Sequence, residues 1–174
     1  MALDATQKEK LAALLAQEHV GVLVTPGDRW PTANMQAFAE TPELEVLFIM
    51  GGNAEKFQNL KKHPEATVLV DTRDIGKVEA FDITRAWIQG LAGEVAKGGP
   101  EWDKLKGIFL KKNPFEEPFF KNDGLRMIRI KRNGCRMRRA WATALRRNSK
   151  PLFSHETSGA GIARNRHTLT RDMC

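Results

Sequence analysis

The chain has 174 residues, with 28 Lys or Arg, 21 Asp or Glu and a formal net charge of +7. This length suits one domain with a substantial hydrophobic core. No apolar run approaches the length of a membrane span, and the two cysteines, Cys135 and Cys174, have no metal-binding or redox spacing. We therefore expect no metal site, no membrane insertion and a cytoplasmic location.

The elements predicted for the first half are one helix, four strands and a second helix. Asp4 and Gln7 form a capping box for the first helix. Valine-rich alternation and apolar runs bounded by turn residues predict the strands. In chain order these elements are a helix over 5–17, strands over 19–25, 31–38 and 45–50, a helix over 54–63 and a strand over 66–71.

The second half predicts a polar loop over 74–82 and a long strand over 85–95, in which Arg85, Trp87 and Gln89 share a face. Gly90 and Gly93 predict a bend or a close backbone approach in this strand. A helix over 100–110, a loop over 113–122 and a sixth strand over 126–131 follow. Six strands linked mostly by tight turns predict a mainly β fold, a small antiparallel barrel with flanking helices.

A glycine turn, Gly51-Gly52-Asn53, joins the third strand to the second helix. Asn53 is predicted to be the N-cap of this helix, and Pro64 ends it. Lys56 falls in the first turn, where the helix dipole disfavours a cation by roughly 0.3–1 kcal/mol. A bound anion would reverse that effect, and the free N–H groups of a helix start suit a phosphate. The alternative is a solvated lysine on an ordinary connecting helix.

The positive charge is confined to the C-terminal quarter. Residues 1–130 hold 17 Lys or Arg against 19 Asp or Glu, a net charge of −2, whereas residues 131–174 hold 11 against 2, a net charge of +9. The hydrophobic pattern also ends abruptly after Lys131. We therefore divide the chain into a domain over 1–131 and a basic extension over 132–174 that we expect to be irregular or not native sequence.

Three origins are open for the extension. It is a natural unstructured tail, an electrostatic arm for nucleic acid, or the product of a shifted reading frame. One restored cytosine after Lys131 gives Lys-Pro-Glu-Trp-Val for a suitable choice of codons, which would continue a strand. We do not expect nucleic acid to be the main partner.

The order of the elements and four segments together resemble the pyridoxamine 5′-phosphate oxidase-like FMN-binding split-barrel family. The segments are the two opening strands at 21–25 and 31–35, the Lys-x-x-Asn-Leu-x-x-x-Pro stretch from Lys56 to Pro64 with its following strand, the strand at 87–92 around Gly90, and the strand at 125–131. The resemblance covers about residues 1–131 and implies a six-stranded antiparallel split barrel that binds FMN.

By this resemblance, Lys56 would bind the FMN phosphate with help from the preceding turn. The second strand would run beside the isoalloxazine ring, and its backbone would pair with the polar edge of that ring. Family members are usually homodimers with the flavin between the subunits, so Arg85, or its same-face neighbours, would reach the flavin from the partner chain. The implied cofactor-binding residues are Lys56, Asn53, Gly51, Met50, Asn34, Met35, Gln36, Asn59 and Arg85.

Simpler alternatives exist for some of these residues. Asn34 and Gln36 would alternatively form a solvated strand face, and Trp87 would serve core or dimer packing. The true oxidases have an arginine beside the lysine, where this chain has Glu55. The resemblance therefore implies a flavin-binding relative of unknown substrate and not the oxidase itself.

Three functions are left open by the sequence. The first is a flavin-dependent oxidoreductase, in which the flavin carries the chemistry because no Ser-His-Asp, Cys-His or metal-ligand spacing is present. The second is a non-catalytic flavin carrier or sensor on the same fold. The third is a nucleic-acid-binding module that acts through the basic extension.

Overall fold

The computed structural model describes residues 3–72 and 83–139, except for the side chains of residues 138 and 139. The predicted loop at 74–82 and residues 140–174 of the basic extension lie outside the described residues. The helices are α1 (Ala5–Gln17), α2 (Glu55–Lys62), α3 (Pro100–Lys112) and a 3-10 helix (Pro114–Lys121). The strands are β1 (Val20–Thr25), β2 (Thr32–Ala37), β3 (Ala39–Glu40), β4 (Val46–Gly51), β5 (Glu65–Asp71), β6 (Thr84–Val95) and β7 (Leu125–Arg139).

The strands form one antiparallel sheet in the order β2-β1-β5-β6-β7-β4-β3. β2 is the predicted second strand, and β3 is a short strand that follows Phe38, beyond the predicted end. β2 pairs with β1 and β3 pairs with β4, so this segment joins the two ends of the sheet order. The predicted mainly β split barrel with flanking helices is confirmed, with seven strands instead of six because β3 was not predicted.

β4 is apolar at five consecutive positions because both of its faces are covered. Val46 and Phe48 point into the barrel core. Leu47 and Ile49 face the other way, into a second cluster that contains Trp102 and other apolar residues of α3. A strand buried on both faces has no polar positions to alternate with its apolar ones, which explains the continuous run in the sequence.

The division at Phe38 is fixed by the C-terminal end of α3. The fully buried Asn113 donates a hydrogen bond from Nδ2 to the carbonyl oxygen of Phe38 at 2.9 Å. Lys112 Nζ lies 4.1 Å from the centre of the Phe38 ring and donates to the carbonyl oxygen of Leu15 and to Glu40 Oε2, each at 2.5 Å. Burial lowers the pKa of Lys112, and the neighbouring Glu40 carboxylate opposes that shift. These contacts join α1, α3 and the bent strand at one place.

β7 continues eight residues beyond Lys131 and pairs with the whole length of β6, from Val95 opposite Met127 to Thr84 opposite Arg139. The ladder has one irregularity, between Gln89 and Gly90. A Cβ atom on Gly90 would lie 2.2 Å from the carbonyl oxygen of Lys131, so the predicted close approach is confirmed there. At Gly93 a Cβ atom would meet nothing within 4 Å, so no close approach occurs there and only the alternative of a bend is left.

The two glycines of β6 provide a matched pair for testing the ladder. We expect Gly90→Ala to lower the free energy of unfolding by roughly 2–3 kcal/mol, because the obstacle is backbone and cannot rotate away. Gly93→Ala should change it by less than about 0.5 kcal/mol, as is usual for open surface positions. Urea denaturation of both variants measures this difference, and equal stabilities would contradict the close approach at Gly90.

Candidate functional site

α2 begins at Glu55, with Ala54 and not Asn53 as its N-cap. The prediction for Asn53 is wrong because the Ala54 N–H donates to the carbonyl oxygen of Gly51 at 3.0 Å, so that a tight turn uses Asn53 before the helix begins. No side chain caps α2, and alanine is a poor N-cap residue. The first N–H groups of the helix are therefore left without a side-chain acceptor.

Lys56 is the second residue of α2 and is half-buried. Within the described parts of the chain it forms neither an ion pair nor a side-chain hydrogen bond. Burial lowers the pKa of its amine, which means that the folded protein disfavours the charged form. Both burial and the helix dipole therefore act against a cation that a bound anion would stabilise.

Asn59 lies one turn after Lys56 on the same side of α2 and is buried. Its Nδ2 donates to the hydroxyl oxygens of Thr25, at 3.3 Å, and of Thr32, at 3.4 Å. The amide of Asn59 thus holds α2 against the end of β1 and the start of β2. Because Lys56 is on the same side of α2 as Asn59, Lys56 lies on the side of the helix that contacts β2.

β2 borders only β1, which leaves its other edge open. Asn34 and Gln36 are half-buried opposite Leu23 and Gly21, whereas Met35 points to the other face with 63% of its surface exposed. Gln36 Nε2 is buried, and none of the described residues accepts a hydrogen bond from it. A buried donor of this kind costs roughly 1–3 kcal/mol if nothing accepts its hydrogen. A simple solvated face therefore does not describe Gln36, and a ligand carbonyl would satisfy it.

The remaining residues of the predicted site lie elsewhere. Met50 is 4% exposed and belongs to the barrel core, so only its backbone could meet a ligand. Gly51 and Asn53 line a cavity of about 590 Å³, and Lys56 is not part of its lining. At 100° per residue, the cavity-lining positions of α2 and Lys56 are on opposite sides of the helix. The structure thus divides the predicted residues between two sides of α2.

The cavity contains residues that the sequence prediction missed, namely Gln58, Lys61, Glu94, Asn122 and Arg126. Helical spacing from Ala54 would have indicated Gln58 and Lys61, which share its side of α2. Glu94 and Arg126 come from different strands, and they meet only because of the β6–β7 register, with Arg126 Nε 3.3 Å from Glu94 Oε1.

The outer face of the sheet carries the predicted partner-facing residues. Arg85 and Trp87 are half-buried there, as predicted from their shared face, and Arg85 Nε is buried with no hydrogen-bond partner among the described residues. Trp87 belongs to neither hydrophobic core cluster, so the core-packing alternative is wrong for the described residues. β6 lies three strand spacings, roughly 14 Å, from β2 in the sheet order, so Arg85 does not join the β2 site of its own chain.

The outer face also has an apolar row and a cavity. Pairing registers place Met35, Val22, Leu69 and Trp87 side by side across four strands. Next to this row is a cavity of about 500 Å³, lined by residues that include Val24, Thr67, Gln89 and Leu91.

The described residues contain neither a membrane-spanning helix nor a cluster of metal-ligating side chains. No helix between residues 3–72 or 83–139 is long and apolar enough to cross a membrane. Within the same two ranges, no three His, Cys, Asp or Glu side chains come together as a possible metal site.

No family model and no curated protein matches the chain, but solved structures do. A heme-binding protein from Mycobacterium smegmatis superposes with a TM-score of 0.71 at 15% identity, over 81% of this chain and 57% of that protein. A candidate pyridoxamine 5′-phosphate oxidase from Listeria innocua gives 0.60 at 20% identity, over 75% and 96%. An FAD-binding protein from Mesorhizobium loti gives 0.63 at 15% identity, over 80% and 96%.

These similarities establish the fold. The chain has the split-barrel fold of pyridoxamine 5′-phosphate oxidase-like proteins. It spans little more than half the length of the mycobacterial protein. The named ligands of the similar proteins are heme in one case and a flavin in another.

The unfavourable placement of Lys56 has a measurable consequence for the ligand-free protein. We expect Lys56→Met to raise the free energy of unfolding at neutral pH by about 0.5 kcal/mol, through relief of the dipole repulsion. Because burial lowers the pKa of folded Lys56, the gain is complete below that pKa and disappears as the pH rises towards the pKa of an unfolded lysine.

Lys62→Met is the matched control for this measurement. Lys62 is in the last turn of α2, where the dipole favours a cation, and it pairs with Asp28 at 3.0 Å. Its removal should leave stability unchanged or lower it slightly. Chemical denaturation between pH 7 and pH 11 compares the two variants, and a destabilising Lys56→Met would contradict the proposed electrostatics.

Proposed function

We propose that this protein binds FMN, with the phosphate at the start of α2 and the isoalloxazine ring along β2. The observation that supports this most directly is Lys56, a half-buried cation at the start of α2. The described residues supply neither a partner for this cation nor a side-chain cap for the helix. A phosphate would neutralise this charge and accept hydrogen bonds from the free N–H groups. When bound, the flavin supplies electron-transfer chemistry, and the protein supplies binding and orientation.

The ring placement is supported by Gln36 and by the open edge of β2. The buried Gln36 Nε2 needs an acceptor, and the flavin ring carries carbonyl oxygens along its polar edge. Backbone groups of Asn34, Met35 and Gln36 would pair with the same edge. In a homodimer, Arg85, Trp87 or Gln89 of the second protomer would close the site from the other side.

Heme is the alternative ligand suggested by the names of similar structures. The histidines that the structure describes, His19 and His63, are both exposed, which offers no buried axial ligand in that part of the chain. We therefore favour flavin, and hemin serves as the comparison ligand in titrations.

The reaction class that we propose is a flavin-dependent oxidoreductase of unidentified substrate. Glu55 stands where the true oxidases have an arginine, so pyridoxamine phosphate is not the substrate that we expect. A flavin carrier or sensor would bind FMN equally well. Steady-state oxidation of a reduced nicotinamide separates the two, because only an enzyme turns over repeatedly.

Comparison of FMN with riboflavin isolates the phosphate contact. We expect Lys56→Met to weaken FMN binding about 10- to 150-fold, the equivalent of one hydrogen bond to a charged group, and to leave riboflavin binding unchanged. Lys62→Met, which removes the same charge from the same helix, should preserve the preference for FMN. Fluorescence quenching of each flavin measures the affinities. Equal losses for both flavins, or no loss for FMN, would argue against a phosphate at Lys56.

We also propose that the protein is a homodimer that uses the outer face of the sheet. The row formed by Met35, Val22, Leu69 and Trp87 exposes apolar surface across four strands. Contiguous apolar surface on a soluble domain is typical of an interaction site. The same face carries Arg85, whose buried Nε has no partner in the described part of the chain, and a second protomer would bring this residue towards a neighbouring flavin.

Leu69→Glu should convert the dimer to a monomer, because it places a charge in the centre of the apolar row. Phe115→Glu is the control, since Phe115 is 66% exposed on the 3-10 helix and belongs to no part of the row. Analytical ultracentrifugation measures the mass, and FMN affinity should fall with Leu69→Glu alone. A parent protein that sediments as a monomer while saturated with FMN would refute the dimer proposal.

A further inference from the structure

The cavity of about 590 Å³ beside α2 lies outside the proposed FMN placement, on the side of the helix away from Lys56. Its volume is within the range of roughly 300–1,000 Å³ that small-molecule sites occupy. The polar side chains that line it are Asn53, Gln58, Lys61, Glu94, Asn122 and Arg126. Such a lining suits a ligand that carries several polar groups.

Two groups of opposite charge are held in place on one wall of this cavity. Arg126 Nη1 donates to the carbonyl oxygens of Asp123 and Leu125, at 2.9 Å each. Arg126 Nε lies 3.3 Å from Glu94 Oε1. Glu94 Oε2 and Arg126 Nη2 have no partner among the described residues, so this wall offers a ligand both an acceptor and a donor.

Lys61 supplies a second cation on the α2 side of the cavity. It is exposed, forms no ion pair within the described parts of the chain, and lies 5.9 Å from the centre of the Phe57 ring. Two cations and one carboxylate leave the lining with a net charge of about +1. A matching ligand has one cationic group for Glu94 and two anionic groups, one each for Arg126 and Lys61.

The wall opposite Lys61 exposes backbone, because Gly51, Gly52 and Gly124 line it. The Gly52 N–H donates to the carbonyl oxygen of Gly124 at 2.8 Å, and Gln58 Nε2 donates to the carbonyl oxygen of Gly52 at 2.6 Å. These bonds fix the shape of the wall. A Cβ atom on Gly51 would meet nothing within 4 Å, so the peptide groups of a ligand can approach the backbone there.

We propose that this cavity binds a short acidic peptide with a free amino terminus. Its ammonium group pairs with Glu94, and its two carboxylates pair with Arg126 and Lys61. Its peptide groups meet the glycine-lined wall and the amides of Asn53 and Gln58. A single amino acid has the same charges but would leave most of the cavity to water. The proposal does not depend on the FMN site, because Lys56 is not part of this lining.

Three matched dipeptides test the proposal by nuclear magnetic resonance titration of the full chain. Ala-Glu has every required charge, Ala-Gln lacks the second carboxylate, and N-acetyl-Ala-Glu lacks the ammonium group. We expect Ala-Glu to bind roughly fivefold to tenfold more tightly than either of the others, the equivalent of one partly exposed charge contact. The amide signals of residues 51–54 and 124–126 should shift on binding.

Two variants assign the contacts to their residues. Lys61→Met should reduce the affinity for Ala-Glu to that for Ala-Gln, and Glu94→Gln should remove the preference for a free ammonium group. Both side chains are exposed, so these variants should fold. Lys62→Met is the control, because it removes the same charge from the same helix at a side chain that pairs with Asp28 outside the cavity. It should keep both preferences.

Several outcomes would overturn the peptide site. They are equal binding of the three dipeptides, no saturable shift with Ala-Glu, and equal losses in Lys61→Met and Lys62→Met. Displacement of Ala-Glu by FMN would also overturn it, because the cavity would then hold the flavin phosphate. A parent protein that binds Ala-Glu with these preferences but does not bind FMN would support the peptide site and refute only the proposed function.

Discussion

The change of partner at Phe38 is the constraint on which the rest of the structure depends. The strand that starts at Thr32 pairs first with β1 and then with β4, and only this change closes the sheet. Asn113 donates a hydrogen bond to the carbonyl oxygen of Phe38 at the bend. Lys112 lies over the Phe38 ring and donates to the end of α1 and to Glu40. β2 is the last strand in the order of the described sheet and borders β1 alone, and the proposed ring site lies along its other edge.

The two sides of α2 contact different parts of the candidate functional region. On one side, Asn59 fastens the helix to β1 and β2 and brings Lys56 to that part of the barrel. On the other side, Gln58 and Lys61 border the polar cavity with residues from β6 and β7. Lys56 lies in the first turn of α2 and Lys61 in the last, so the two cations are separated along the helix axis as well as around it.

The sequence predicted what depends on local or periodic patterns. The capping box was correct, with Asp4 Oδ1 accepting from the Gln7 N–H at 2.7 Å and Gln7 Oε1 accepting from the Asp4 N–H at 3.1 Å. Alternation placed Arg85 and Trp87 on one face, and the position of Lys56 in the first turn of α2 was right. The start of α2 was missed by one residue, because a turn closed by the Gly51 carbonyl is not visible in residue preferences. The full length of β7 was not predicted from the sequence. Strand pairing is made by backbone N–H and C=O groups, and these pair regardless of the side chains that the strand carries.

The burial of β4 on both faces has a consequence for synthesis. Val46 pairs with Ile130, so this strand leaves the ribosome long before its main partner exists. Until β7 and α3 arrive, an apolar segment of high strand propensity has neither an edge partner nor a cover. Such a segment is a typical nucleus for misassembly of nascent chains. The strand that joins the two hydrophobic clusters in the folded barrel is therefore exposed in the nascent chain, where a chaperone would protect it.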